Sequence, residues 1–354
     1  MNAQHTTLPA RPVVTADGRT IATPLFLPVF QNGNHFVTID MLEHDFGARG
    51  LITNAFFIYK NRELKARVVE QGIRDFLGFS GLIMTDSGAF QQFSGPLYLS
   101  NKKIVRFQQD IGVDVVSPLD VITTPGDNRT NAAKKLDATL KRIKEGVGIV
   151  DRAVLAGVQQ GGKFLELRGR ALEALVEFGV TYIALGSLVP FFTKGHHVEF
   201  IGKVLKQARA IVPDHIPLHL YGAGDPLEIP FYVGLGCDIF DSSSFIHYAR
   251  DGWYMTPYGA LPVKNRDPAD MPYKCDCPYC AEFGSTIWHN EVRLSHHNLW
   301  TIMHVLNDVT QRRAAGTLDT YLNHVLERHQ QWFPKSLLRH SWKALQEWRS
   351  SPGA

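Results

Sequence analysis

Short apolar runs that end in an acid or an amide recur along the chain. Leu82-Ile-Met-Thr-Asp86 ends in Asp86, Val115-Val-Ser-Pro-Leu-Asp120 in Asp120, and Leu155-Ala-Gly-Val-Gln-Gln160 in Gln160. Cys237-Asp-Ile-Phe-Asp241 ends in Asp241 and is followed by three serines. Runs that stay apolar on successive residues suit strands buried on both faces. Eight such segments are predicted, at 24–30, 50–54, 82–86, 114–120, 153–160, 182–187, 217–222 and 238–242. Between several of them apolar residues recur at three-to-four spacing, which predicts helices over 65–77, 102–111, 129–146, 164–178 and 198–212. Eight strand–helix units of this size predict a (β/α)8 barrel, which carries its chemistry at the C-terminal ends of its strands. A doubly wound open sheet would need a glycine-rich dinucleotide turn that the sequence lacks. The remaining ends agree, since Gln31-Asn-Gly follows Phe30 and Asn54 follows Leu51-Ile-Thr.

The pattern changes after Ser244. Residues 251–279 are rich in Pro, Gly and Tyr and have little periodicity, so they read as an extended excursion. Helical stretches are predicted at 297–314, 318–332 and 336–348, closing the barrel's outer layer. The expected division is a catalytic barrel at 1–250, a zinc-binding subdomain at 251–310 and C-terminal helices at 311–354. Cys275-Asp-Cys-Pro-Tyr-Cys280 places three thiols within six residues, which suits a tetrahedral zinc ion. The fourth ligand is to be found among His289, His296, His297 and His304; His297 opens a strongly helical stretch that would fix its ring. A closed Cys3His site is structural rather than catalytic. A redox pair would need a strand-to-helix context that is missing here. Cys237, in an apolar strand, reads as a small buried hydrophobe.

Composition narrows the picture further. The 354 residues and 44% hydrophobic content fit one large barrel. A net charge of +3 identifies no partner, and the basic clusters at 134–144 and 203–209 read as solvated helix faces. No run is long enough to span a bilayer and the N-terminus has no export signal, so a soluble cytoplasmic protein is expected.

Five of these segments, in this order, resemble the tRNA-guanine transglycosylase superfamily. Thr85-Asp-Ser-Gly-Ala-Phe-Gln91 is similar to its signature, and Val158-Gln-Gln-Gly-Gly162, Ala184-Leu-Gly-Ser-Leu188 and Gly236-Cys-Asp-Ile-Phe-Asp241 to its other strand ends. The Cys275–Cys280 cluster followed by His297-Asn298 resembles its zinc site. The resemblance runs from about Pro24 to Leu306. It implies a zinc-bearing (β/α)8 barrel that exchanges guanine for a free 7-deazaguanine base within an intact polynucleotide. By resemblance, Asp241 is the nucleophile at C1′ and Asp86 the general acid/base. Asp120, Gln160 and the backbone of Gly186, Ser187 and Leu188 would read the purine, and Phe90 and Tyr221 would stack on it. Arg250, in Arg250-Asp-Gly252, matches a turn that contacts the polynucleotide. The metal ligands would be Cys275, Cys277, Cys280 and His297. The family is often a homodimer with the zinc region near the interface.

Two departures bear on the substrate. Ser242-Ser-Ser-Phe-Ile-His247 replaces the Cys-Val-x-Pro-Thr-Arg stretch of queuosine-type bacterial enzymes and looks more like the archaeosine type, and Ser187 stands for a glycine usual in their base pocket. Archaeosine-type enzymes continue into RNA-binding domains, for which a chain ending at Ala354 leaves no room. That combination resembles the bacterial branch that inserts 7-cyano-7-deazaguanine into DNA, so DNA is favoured over tRNA. A non-catalytic accessory subunit would have lost Asp86 and Asp241, and a carbohydrate glycosidase would not need the cysteine cluster.

Overall fold

The computed structural model describes residues 11–15, 17–33, 35–89 and 99–348. In chain order its strands are β1 Val13–Val14, β2 Thr20–Ile21, β3 Leu25–Pro28, β4 Gly50–Asn54, β5 Leu82–Asp86, β6 Val115–Val116 and β7 Val154–Leu155. They continue as β8 Gly157–Gln159, β9 Ile183–Leu185, β10 Leu218–Leu220, β11 Ile239–Ser242, β12 Trp253–Tyr254 and β13 Leu261–Pro262. The α-helices are α1 Ala55–Lys60, α2 Arg62–Gln71, α3 Ile73–Leu77, α4 Asn101–Asp110, α5 Arg129–Val147, α6 Leu165–Glu177 and α7 Glu199–Ile211. After these come α8 Ile229–Gly234, α9 Ser244–Asp251, α10 Pro278–Phe283, α11 Glu291–Ala314, α12 Leu318–Trp332 and α13 Leu338–Glu347.

Two parallel runs, β4-β5-β6-β7 and β8-β9-β10-β11-β3, make the sheet. They meet at both seams. Ala156 alone separates β7 from β8, so the two form one stave. Just past β3, Val29 bridges Ile52 in parallel, and Phe30 N–H donates to Ile52 O at 2.8 Å. The ring is therefore closed, with eight parallel staves: the (β/α)8 barrel expected. Leu82, Ile83, Met84, Val115, Val116, Ile183, Ala184 and Leu185 are all buried, because helices cover the outside and side chains fill the inside. Helix α5 shows how the outer layer attaches. Ala132, Leu136, Thr139, Ile143 and Gly146 form its buried stripe, while Lys134, Lys141 and Lys144 face water.

The structure departs locally from the predicted elements. The helix predicted at 65–77 is two helices, α2 and α3, broken at Gly72, whose φ of 80° is left-handed. The strand predicted at 114–120 ends at Val116, since Pro118 has no N–H to continue a ladder. Instead, Gln108 Oε1 accepts Ser117 N–H at 2.9 Å and its Nε2 donates to Ser117 O at 2.8 Å, an amide side chain standing in for the next rung. Helix α11 begins before His297 because Asn290 caps it, accepting Arg293 N–H at 3.0 Å. The division expected at residue 310 falls inside α11, which packs on α8, α9 and α12.

The two ends of the barrel differ in chemistry. At the N-terminal end, buried Asp238 meets Arg209 at 2.6 Å and Arg11 at 3.3 Å, and Asp114 meets Arg74 at 2.7 Å. These arginine–carboxylate pairs tie down the floor. No helix among the described residues is long and apolar enough to cross a membrane.

Candidate active site

The C-terminal ends of β4, β5, β8, β9, β10 and β11 and the loop after β6 converge on one mouth. Asp86 is the last residue of β5, and Asn54, the last of β4, donates to its Oδ2 at 2.9 Å. Asn54 also caps α1 by accepting Phe57 N–H, so its amide cannot turn away. Protein crowds Asp86 although water still reaches its edge. This burial pushes the carboxyl up to about 7; the Gly88 N–H opposes the shift, and the negative charges of Asp120 and Asp241 add to it. Burial likewise lifts Asp120 to about 6, against a hydrogen bond from Gln160 Nε2. The three carboxylates also act together on half-buried Tyr221, whose hydroxyl is driven well above its ordinary range, first by desolvation among the packed side chains around it. Tyr221 Oη sits 3.5 Å from Ser117 Oγ. Asp86, Asp120, Asp241 and Tyr221 thus share one site.

Gln160 is locked in place. Its Oε1 accepts from Thr123 Oγ1 at 2.6 Å, Ser187 Oγ at 2.7 Å and Thr123 N–H at 3.2 Å. The amide nitrogen must then face Asp120, leaving one N–H for a ligand. Ser187 takes a left-handed φ of 54°, a conformation in which a side chain is strained. The hydroxyl bonded to Gln160 offsets that strain and explains why a serine stands at this position. Gly186 admits no side chain: an added Cβ would lie 2.9 Å from Val158 and 3.0 Å from Gln160 Nε2. Leu188 is buried behind them. Phe90 lies outside the described residues.

Asp241 is the third residue of β11. Its Oδ1 accepts Gly222 N–H at 3.1 Å. The serines after it are small for a reason, because Gly224 crosses so closely that a Cβ there would sit 2.3 Å from Ser242. Ser244 Oγ donates to Gly224 O at 2.9 Å. A cavity of about 820 Å³ opens beside Asp241, walled by Val29, Phe57, Phe192, Tyr232 and Tyr248. Arg250 is exposed on α9, with its guanidinium 4.7 Å from the Phe36 ring.

Two residues here were not among the predicted site residues. His219, in β10, places Nε2 2.9 Å from Asp241 Oδ1. Arg168, in α6, is fully buried and donates to Gly162 O at 2.7 Å, Gln159 Oε1 at 2.8 Å and Gly186 O at 3.2 Å. It props up the loops carrying Gln160 and Ser187, and burial lowers its pKa to about 9.

Cys275, Cys277, Cys280 and His297 point their donor atoms at one another, all within 4.8 Å. His297 Nδ1 lies 3.4 Å from both Cys277 Sγ and Cys280 Sγ. Metal–ligand lengths of about 2.3 Å to sulfur and 2.0–2.1 Å to nitrogen put tetrahedral vertices roughly 3.5 Å apart, so the set fits zinc. His297 Nε2 lies 2.8 Å from Met255 O, which fixes that nitrogen as the donor and frees Nδ1 for a metal. Tyr254 stacks on the ring at 3.7 Å. Buried Cys237 is not part of this cluster, and burial pushes its thiol up. A second histidine-bearing group among the described residues, His196 with Asp225 and Glu228, is closed by its own ion pair of 2.7 Å.

A stability signature follows from Asp86. Its native pKa lies above the ordinary carboxylate value, so between about pH 4 and 7 the folded state holds a proton that the unfolded chain has released. Stability from this group is therefore lost as pH rises from about 4 to 7 and is constant above that. Asp86→Asn should gain stability over the parent progressively between pH 5 and 7 and hold that gain above 7, by ~2 kcal/mol relative to pH 5. A melting difference that stays flat with pH would show that Asp86 is not held protonated.

Comparison with known proteins places this geometry. Residues 10–331 match the family model described as queuine tRNA-ribosyltransferase. A tRNA-guanine(15) transglycosylase of Methanopyrus kandleri is 36% identical over 321 residues, covering 88% of this chain and 68% of that protein. Proteins of the same name from Thermococcus kodakarensis and Methanocaldococcus jannaschii are 34% and 30% identical, and the match spans 53% and 48% of their lengths. With the barrel, the acid-lined mouth and a match across most of its length, the chain belongs to the queuine tRNA-ribosyltransferase family of pentosyltransferases.

Proposed function

We propose that this protein exchanges guanine for a 7-deazaguanine base at one position of an intact nucleic acid, through a covalent glycosyl–Asp241 intermediate. The observation that carries this reading is the division of labour among three carboxylates in one mouth. Asp241 borders the open cavity and has one oxygen free of hydrogen bonds to described residues. Asp86, held near 7, is suited to protonate the departing purine and to take a proton from the incoming one. Asp120, tied to Gln160, can accept from the purine N1–H and exocyclic amine. The Gln160 N–H left over and the backbone at Gly186–Leu188 face the other edge, and Tyr221 offers a flat apolar face. Cleavage of an N-glycosidic bond develops positive charge on the sugar, which a carboxylate at C1′ stabilises and then traps. The same residues argue against a non-catalytic accessory subunit.

We place tRNA ahead of DNA, reversing the order favoured by the sequence. Relatives over most of this chain are named tRNA-guanine(15) transglycosylases. Arg250 would sit against the polynucleotide backbone. The zinc ion would be held by Cys275, Cys277, Cys280 and His297 and would supply structure, with no part in the chemistry. Mass spectrometry of nucleosides from tRNA and from DNA, in cells with and without this protein, tests the reading. The expected outcome is a 7-deazaguanosine that disappears from tRNA when the protein is removed. Loss from DNA alone would restore DNA as the substrate, and loss from neither would remove the proposal.

A further inference from the structure

His219 is a buried polar group that the proposed chemistry leaves unused. It lies in β10, next to β11, and is fully buried. Tyr182 Oη is 2.8 Å from its Nδ1 and 3.7 Å from Met84 Sδ. The phenol has one proton and imidazole nitrogen is the far better acceptor, so Tyr182 donates to Nδ1. The ring's own proton is then on Nε2, the atom 2.9 Å from Asp241 Oδ1. The separation is that of a hydrogen bond but the direction is not, and Nε2 has no hydrogen-bond partner among the described residues. A buried N–H left unpaired is unfavourable. Here it is aimed at the one carboxylate proposed to change its bonding.

We infer that His219 is a positioning residue that, together with Gly222 N–H, holds Oδ1 of Asp241 so that Oδ2 attacks C1′. The inference rests on the reading of Asp241 as nucleophile. In the first step the Oδ2–C1′ bond forms while C1′–N9 breaks. The bonding pair leaves with the purine, which takes a proton from Asp86. His219 keeps its proton throughout. Oδ1 becomes the carbonyl oxygen of the ester, a weaker acceptor than a carboxylate. In the second step the incoming base gives its proton to Asp86 and attacks C1′. The electron pair returns to the carboxylate, and the Nε2–H bond to Oδ1 strengthens as that charge develops. A small rotation of the carboxylate puts the N–H on line, as happens in sites that tighten only with substrate bound.

The test compares His219→Leu, which removes the donor, with His219→Gln, whose amide nitrogen reaches the Nε2 position. Denaturation-resistant adduct formation with bulk tRNA (genomic DNA if tRNA gives none) is timed alongside guanine exchange, and binding of free guanine is measured by calorimetry. By leaving the carboxylate free to turn, His219→Leu should slow adduct formation and kcat by about 100-fold while guanine affinity and KM change by less than about threefold. His219→Gln should recover most of the rate. Equal rates in His219→Leu and the parent would overturn the inference. So would a loss of guanine affinity in both variants, since His219 would then serve packing. Asp241→Asn separates the two readings: adduct persisting in that variant would remove the nucleophile and the inference with it, whereas its absence leaves His219 to be judged on its own variants.

Discussion

Asp241→Asn should form no denaturation-resistant adduct with nucleic acid and should exchange guanine at least ~10⁴-fold more slowly, while still binding free guanine. An amide cannot open a glycosidic carbon to an ester. The change is otherwise mild. An asparagine Oδ1 can keep the bond from Gly222 N–H, and Asp120, Gln160 and Ser187, proposed to read the purine, come from the other side of the mouth. Thermal unfolding should therefore move little. Asp241→Ala guards against regeneration of the carboxylate by deamidation at the new Asn–Ser step. Gel-shifted adduct and release of labelled guanine are the measurements. Adduct at the parental rate in both variants would move the nucleophile's role to another carboxylate, with Asp86 next in line.

The second large effect is expected at the cysteine cluster. Cys277 is fully buried, and its sulfur accepts Cys280 N–H at 3.3 Å, capping α10. Cys277→Ala removes a proposed metal ligand and the cap together. Structural zinc supplies about 10 kcal/mol or more to isolated zinc-binding domains. Here the surrounding segment is also held by buried Ala249, Tyr254, Val263, Ile287 and Leu294, so part of the fold should survive without metal. A loss of several kcal/mol, on the order of 10 °C in Tm, is the expected result, with zinc content falling in step. Elemental analysis and calorimetry check both quantities, and treating the parent with a strong chelator should reproduce the shift. Parental melting with no bound zinc would remove the structural role.

The barrel was legible because its staves are short, apolar and ended by side chains with chemistry. Asp86, Asp120, Gln160 and Asp241 stand out against their own strands, and the structure gathers them. The positions of element ends were less legible. Nothing in Val115–Asp120 says that Gln108, a helix residue, replaces a ladder rung at Ser117, so Asp120 looked like a strand residue and belongs to a loop. The apolar periodicity strengthens at His297, which predicts a helix opening there, whereas the cap is Asn290. His219 is hidden in the sequence for a different reason. In Leu218-His-Leu-Tyr221 it reads as one polar break in a buried run, and only the pairing of β10 with β11 brings it to Asp241. Nothing in Leu167-Arg-Gly-Arg170 marks Arg168 as different from its exposed neighbour Arg170. The burial of Arg168 follows from the long reach of the side chain toward two glycine carbonyls, which spacing along the sequence does not encode.

Helix α11 has a consequence for how metal depletion should be interpreted. Its 24 residues make a rod about 36 Å long. Near one end is His297; beside it, Asn298 accepts Met255 N–H at 2.9 Å and donates to Trp253 O at 3.1 Å. Along its length it packs on α9, the helix that continues directly from the Asp241 strand, and its far end carries Arg313 to within 4.0 Å of Asp238 under the barrel. A metal-stripped sample would lose the anchor of a splint that runs from the working rim to the base. Inactivation by chelators would then report slack in that splint, and would be no sign that the ion handles the glycosidic bond.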